Sequence, residues 1–262
     1  MRRTLVGLVV FAASFVGLAF LALPVIALFA RVPPSRLVSQ LGNPVVTDAL
    51  VVSLKTTVLA QVLILVFGTP TAYVLATRRF RGRAALMTLV ELPLVLPPAV
   101  AGLGLFAAFG RTGLLHTSIP FTQMAVVLAV AFVASPLYVR AAIAAFEAVD
   151  ANIVAASRTL GAGPTRTFFR VVAPLARGGL AAGAALAFAR GLGEFGATIM
   201  FAGSLRGVTQ TLSLAVYAEF DVNFDVALAI SALLVLVSAA LLITLKWLPS
   251  LSTSRFRFAT SS

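Results

Sequence analysis

Phe146 to Pro174 reads FEAVDANIVAASRTLGAGPTRTFFRVVAP, a polar segment carrying Arg158, Arg166 and Arg170 between two apolar runs, Phe121 to Val139 and Leu180 to Phe201. Each run approaches the roughly 20 residues that cross a bilayer as a helix. The segment is therefore a loop at one face of a membrane, and its residue types predict internal order. Asp150 is placed to cap a short helix running through Leu160, Gly161 supplies the left-handed residue that ends it, and Pro164 suits the first turn of the next helix. Beyond Gly161, Phe168, Phe169, Val171 and Val172 beside Arg166 and Arg170 predict an amphipathic helix leading back to the membrane. Such a helix either lies on lipid headgroups or docks a soluble partner.

Working outward, four further runs are long and apolar enough to span: Leu5 to Phe29, Leu50 to Ala76, Ala84 to Phe109 and Val226 to Leu245. With 60% apolar and 11% charged residues over 262 positions, the chain is not an ordinary soluble domain. The expectation is an all-α polytopic membrane protein, one transmembrane domain over residues 1–262 with six helices and a loop at about 147–177. Helices follow because a spanning segment must satisfy its own backbone. Arg2 and Arg3 precede the first run as in a signal peptide, but its length exceeds the roughly 7–15 residues of a signal's apolar region. It reads as a retained helix.

The net charge of +12 follows the same topology. With the N-terminus inside, Arg2, Arg3, Arg78, Arg79, Arg81 and Arg83 fall on inner segments, as do Arg140, Arg158, Arg166, Arg170, Arg177, Lys246, Arg255 and Arg257. The outer loops hold Arg31, Arg36, Arg111 and Arg206. Fourteen against four places both termini in the cytoplasm by the positive-inside rule. The excess is thus a topology signal and not a nucleic-acid footprint, and Arg78 to Arg83 also face anionic membrane lipid.

Catalytic material is sparse. The chain has one histidine and no cysteine, and His116 in an outer loop reads as a solvated residue. Lys55 and Lys246 both follow leucines, so neither completes a phosphate-cradling G-x-x-x-x-G-K-[ST] loop. Gly191, Gly193 and Gly196 form a G-x-G-x-x-G, but in an apolar helical run with no preceding strand, so they read as sites of close helix packing. No metal site is expected.

The polar segment resembles the inner loop of membrane permease subunits of ABC importers, whose pattern is E-A-A, three residues, Gly, nine residues, Ile, one residue, Leu-Pro. Ala156 and Gly161 match, Val171 stands for the Ile and Pro174 closes the motif, with Pro164 between them. Ala155 replaces the Glu and Ser157 the second Ala, so a partner contact made by that Glu does not carry over. LPLVLPPAVAGLGL, Leu92 to Leu105, and ARGLGEFGATIMFAG, Ala189 to Gly203, resemble the sulfate and molybdate group, and its molybdate-type members more than its sulfate-type ones. The likeness spans roughly Thr47 to Tyr217.

The resemblance implies a type I importer permease in the bacterial cytoplasmic membrane, working as a homodimer by alternating access. It implies two cytoplasmic ATPase subunits that carry ATP and Mg, an extracytoplasmic oxyanion-binding protein, and no cofactor on this chain. The cargo would be molybdate or tungstate, with sulfate or thiosulfate as the alternative. A secondary transporter or channel is the rival of another class, but no paired acidic residues stand at midplane and no inverted repeat is visible. An intramembrane enzyme would need a positioned nucleophile and base or a metal-ligand set, and His116 alone in an outer loop gives no such set.

Four charges fall at membrane depth: Lys55, Glu91, Arg190 and Glu194. Lys55 is near enough to an outer end to snorkel. Arg190 and Glu194, four apart, either neutralise each other as a structural pair or leave Glu194 with Thr198 to line or gate a pathway. Pro93, Pro97 and Pro98 are expected to kink or interrupt the third span, with Pro97 and Pro98 in a hinge or pathway-lining role.

Overall fold

The computed structural model describes residues 2–31 and 33–250. Arg255, Arg257 and the serine-containing tail lie outside the described residues. In chain order the elements are α1 (Arg2–Arg31), α2 (Pro34–Gln40), α3 (Pro44–Thr77), α4 (Arg83–Val95), α5 (Pro98–Phe109) and α6 (Gln123–Glu147). There follow α7 (Ala151–Thr159), α8 (Pro164–Thr167), a π-helical turn (Phe168–Val172), α9 (Ala173–Leu192), α10 (Gly196–Ala202), α11 (Leu212–Glu219) and α12 (Phe224–Ser250). No strand occurs among the described residues.

Five helical stretches are long and apolar enough to span: Val6–Arg31, α3, α6, Pro164–Leu192 and Phe224–Thr244. The stretch expected as one span at Ala84 to Phe109 is instead two helices, α4 and α5, whose axes differ by 116°. Counted as one broken span, they bring the number to six. The break falls at Leu96 and Pro97, where Leu96 is extended (ψ 134°) and Pro97 continues extended (ψ 132°) before Pro98 starts α5. Residues preceding proline avoid the helical region, and two in succession end a helix outright. Pro93 is accommodated inside α4 and carries no break. Pro97 and Pro98 have no N–H to orphan, and the amides of Val100 and Ala101 both return to the Pro97 carbonyl. The interruption therefore strands few donors in an apolar medium.

α3 and α6 run on past their apolar stretches, because polar caps and amphipathic turns extend them. Asn43 accepts from the Val45 amide at 2.9 Å and Pro44 takes the first position, which starts α3 six residues before its apolar run. At 34 residues, α3 is about 50 Å long. Thr122 caps α6 in the same way.

α6 lies at the centre, packed along α3 on one side and α9 on the other, with α4, α5 and α10 also against it. Small residues permit the approach. Gly179 and Gly183 on α9 sit where an added Cβ would lie 2.5 Å and 2.6 Å from the Cβ atoms of Ala145 and Ala141. Without a hydrophobic drive between spans in lipid, such close contact is the main source of association. The buried core is accordingly rich in alanine and valine, with Tyr138, Phe146 and Phe201 its bulkiest members. α1 buries none of its apolar window against the rest of the chain. Phe11, Phe15 and Phe20 leave it an apolar face that the rest of the chain does not cover.

Candidate functional site

Two features stand out, one at the end of the bundle that carries the arginine-rich turns and one where broken helices meet.

The first is the segment between α6 and α9. Asp150 caps α7 by accepting from the Asn152 amide at 2.8 Å. α7 ends at Thr159 with Leu160 as its C-cap, one residue short of the expected bound. Gly161 follows at φ +84°. Its amide returns to the Arg158 carbonyl and that of Ala162 to the Ser157 carbonyl, the double closure of a Schellman turn. Pro164 takes the first position of α8. Ser157, where the family pattern has Ala, places its hydroxyl 3.2 Å from that of the fully buried Thr167, stitching α7 to α8 across the turn. Ala156 and Gly161 face solvent, as does Pro174 near the start of α9, while Val171 is half-buried.

The expected amphipathic helix after Gly161 is interrupted in hydrogen bonding, though not in direction. Residues 168–172 form a π turn, closed by the Ala173 amide reaching back to the Phe168 carbonyl. Its register turns Phe168 towards Tyr73 and Phe146, with ring centroids 4.9 Å and 6.1 Å away, and those two rings lie 5.5 Å apart edge to face. This aromatic triad ties the segment to the ends of α3 and α6. Arg83 adds a polar tie, its Nε donating to the Leu75 carbonyl at 2.7 Å and its guanidinium pairing with Glu147 at 2.9 Å. From Pro164 to Leu192 the chain is then one 29-residue helical stretch.

That stretch leads to the second feature. The glycine-rich run was expected inside one continuous helix, but the helix ends at Leu192 and restarts at Gly196. Three glycines among six residues weaken the helix, and Glu194 supplies a replacement cap by accepting from the Ala197 amide at 2.8 Å. The three glycines differ in role. At Gly191 an added Cβ would lie 2.8 Å from Val130 Cγ1, and at Gly196 it would lie 2.4 Å from Pro98 Cβ. Gly193 has no such neighbour and sits in the break itself, so close packing does not describe it. α10 also rides on α5 at Gly102, where an added Cβ would be 2.6 Å from the Ala197 carbonyl oxygen. The two interrupted helices thus touch at their interruptions, Gly196 against Pro98.

Glu194 is 2% exposed and pairs with Arg190 at 2.8 Å. Its carbonyl accepts from the Ser213 hydroxyl at 2.6 Å, linking α11 to the break. Thr198 is fully buried, and its hydroxyl makes no hydrogen bond within the described chain. Sequence reasoning missed Gln61, both of whose side-chain polar atoms are buried without a hydrogen bond. It lies one turn along α3 from Thr57, the residue facing Gly191, and so on the α3 face turned towards α9. A lone glutamine in a membrane-grade run was the available signal.

The remaining intramembrane charges are peripheral. Lys55 donates to Gln123 at 2.7 Å, level with the start of α6, and Glu91 is 3.4 Å from Arg140 with both side chains well exposed. His116 is exposed and its ring hydrogen-bonds the Arg111 carbonyl. Among the described residues no His, Cys, Asp or Glu cluster is suited to a metal.

Comparison with known proteins gives this arrangement a family. Residues 65–257 match the family described as binding-protein-dependent transport system inner membrane component. The chain is 42% identical over 237 residues to the molybdenum transport system permease protein ModB of Mycobacterium tuberculosis, covering 88% of this chain and 90% of that one. It is 38% identical over 218 residues to the ModB permease of Escherichia coli, covering 79% and 95%. The fold resembles a chain of the inward-facing MetNI methionine ABC transporter at TM-score 0.63 and 19% identity, covering 79% of this chain and 95% of that one. A chain of the bacterial alginate ABC transporter, in complex with its alginate pentasaccharide-bound periplasmic protein, matches at TM-score 0.69 and 14% identity, with 99% and 97% covered. With a polar helix–glycine–helix loop between its spans and two broken helices meeting within the bundle, this chain belongs to the inner membrane components of binding-protein-dependent transport systems.

Proposed function

We propose that this chain is the membrane-spanning permease subunit of an ATP-driven importer that carries molybdate, or the isosteric tungstate, into the cytoplasm. It would act as one transmembrane domain in a homodimer, with both termini cytoplasmic, in the bacterial cytoplasmic membrane. A separate pair of ATPase subunits would bind ATP and Mg, and an extracytoplasmic oxyanion-binding protein would deliver cargo. This chain itself binds no cofactor in that reading.

One observation carries it: the capped loop around Gly161 is joined through an unbroken helical stretch to the crossing of the two interrupted helices. A loop of this build presents Ala156, Gly161 and Pro174 to a soluble partner, and the stretch from Pro164 transmits its position into the membrane. Discontinuous helices meeting at depth are where transporters gather their gates. In this reading Glu194, Thr198, Pro97 and Pro98 form the gate region. The Arg190–Glu194 pair would stabilise it in the conformation seen, where the Thr198 hydroxyl is left without a partner.

The relatives' names favour molybdate over sulfate as cargo, and family membership disfavours a self-sufficient channel. The arginine-rich ends of α3, α6 and α9 would face the cytoplasm under the positive-inside rule. The test is ATP hydrolysis by the chain reconstituted with its ATPase and binding protein. Stimulation by molybdate or tungstate, and not by sulfate, is the expected result. Sulfate stimulation alone would replace the cargo, and passive solute flux through the chain without an ATPase would replace the class.

A further inference from the structure

At the arginine-rich end, a cavity of about 1080 Å³ opens between the end of α3, the 78–83 turn, the end of α6 and helix α7. Its bundle side is apolar, formed by Tyr73, Phe146 and Val172. Four arginines also line it: Arg78, Arg79 and Arg83 from the end of α3 and the turn, and Arg158 from α7. One carboxylate, Glu147, also lines it.

Glu147 is already committed to Arg83, whose Nε is held by the Leu75 carbonyl. Arg78, Arg79 and Arg158 pair with no carboxylate among the described residues. Three guanidiniums sharing one opening repel each other, and a tetrahedral anion between them would convert that repulsion into charge-assisted hydrogen bonds. A free oxyanion fills only a few water volumes of about 30 Å³ each, a small part of this space. An apolar wall together with a cationic lining instead fits a phosphoryl group that carries a glycerol and the first part of an acyl chain.

We propose that this cavity binds a phosphoryl-type tetrahedral anion supplied by the headgroup of an anionic phospholipid, so that Arg158 ties helix α7 to the end of α3 through the lipid. Occupancy then holds α7 in its docking pose and makes coupling lipid-dependent. That consequence rests on the importer reading, whereas binding itself does not.

The test uses the purified full-length chain and native mass spectrometry, with dioleoyl phosphatidylglycerol and dioleoyl phosphatidylcholine as probes. Arg78→Gln with Arg158→Gln removes two cavity charges, and Arg81→Gln with Arg177→Gln removes two exposed charges outside the cavity. Phosphatidylglycerol is expected to stay bound to the parent chain and the control, and its retention to fall about tenfold in the cavity variant. Phosphatidylcholine should not be retained. If the cavity variant fails to fold, Arg79→Gln alone carries the test with a several-fold loss. Equal loss in cavity and control variants would reduce the effect to general surface attraction and overturn the site. Displacement of the lipid by inorganic phosphate or molybdate would make a soluble ion the ligand and overturn the lipid assignment. Displacement on adding the ATPase subunit would make the cavity a protein seat and overturn it too. Because the chain is tested alone, failure here leaves the ATPase experiment above unaffected, and the converse also holds.

Discussion

Gly161 offers a perturbation whose cost is readable from the backbone alone. At φ +84° it occupies the left-handed region, yet a Cβ added there would meet nothing within 4 Å. A substitution therefore creates no clash, and its penalty is conformational, about 1–2 kcal/mol for an ordinary L-residue. That cost falls on the Schellman closure formed by the Gly161 and Ala162 amides, at an exposed turn remote from the bundle core. It would lower the population of the closed turn about 5–30-fold while leaving the spans intact. Asparagine tolerates the left-handed region and valine does not. Gly161→Asn should therefore keep most of the cargo-stimulated ATPase activity of the reconstituted complex, and Gly161→Val should lose most of it. Both should insert, fold and melt like the parent chain. Equal activity of the two variants, or a Gly161→Val complex with full stimulation, would refute the claim that left-handed geometry at this residue carries docking.

Three other tests probe separate parts of the structure. Gly196→Ala drives a methyl to 2.4 Å from Pro98 Cβ and should destabilise the chain by about 1–3 kcal/mol in a detergent melt, whereas Gly104→Ala, with open space around it, should not. Glu194→Gln keeps an oxygen for the Ala197 amide but removes the charge facing Arg190, so it should melt above Glu194→Ala, which loses both; the reverse order would refute the capping role. Asp150→Ala deletes the cap of α7 and should cost that helix about 0.5–2 kcal/mol, seen as faster amide exchange over residues 151–159 with none over α6.

What was legible in the sequence was whatever depends on averages or on single residues with strong backbone preferences. Apolar runs gave the positions of α3, α6 and α12, and Asp150, Gly161 and Pro164 gave the α7–α8 turn, because capping and left-handed geometry are local properties. Pro97 and Pro98 announced an interruption, but not a 116° change of direction, which depends on what α5 packs against. The break at Gly193 was hidden because glycines at 191, 193 and 196 suit close helix packing as well as a helix end, and only Gly191 and Gly196 meet a neighbouring helix. The π turn had no signature, since it arises from seating Phe168 between Tyr73 and Phe146, which are distant in the chain. The meeting of Gly196 with Pro98 was illegible for the same reason, although each glycine and proline was singled out separately.

The unbroken passage from Pro164 to Leu192 also has a mechanical meaning. At 29 residues it is a rod of about 43 Å whose close contact with α6, Gly179 and Gly183 against Ala145 and Ala141, lies near its middle and would serve as the pivot of any tilt. A tilt of about 5° at the loop end sweeps the full rod length through roughly 4 Å, comparable to one strand spacing. Divided by a fulcrum near its middle, that gives about 2 Å at the Leu192 tip, next to the break that holds Glu194. The small residues at the crossing therefore set a gear ratio as well as a contact distance, and moving them along the helix by one turn would change the stroke without altering either end.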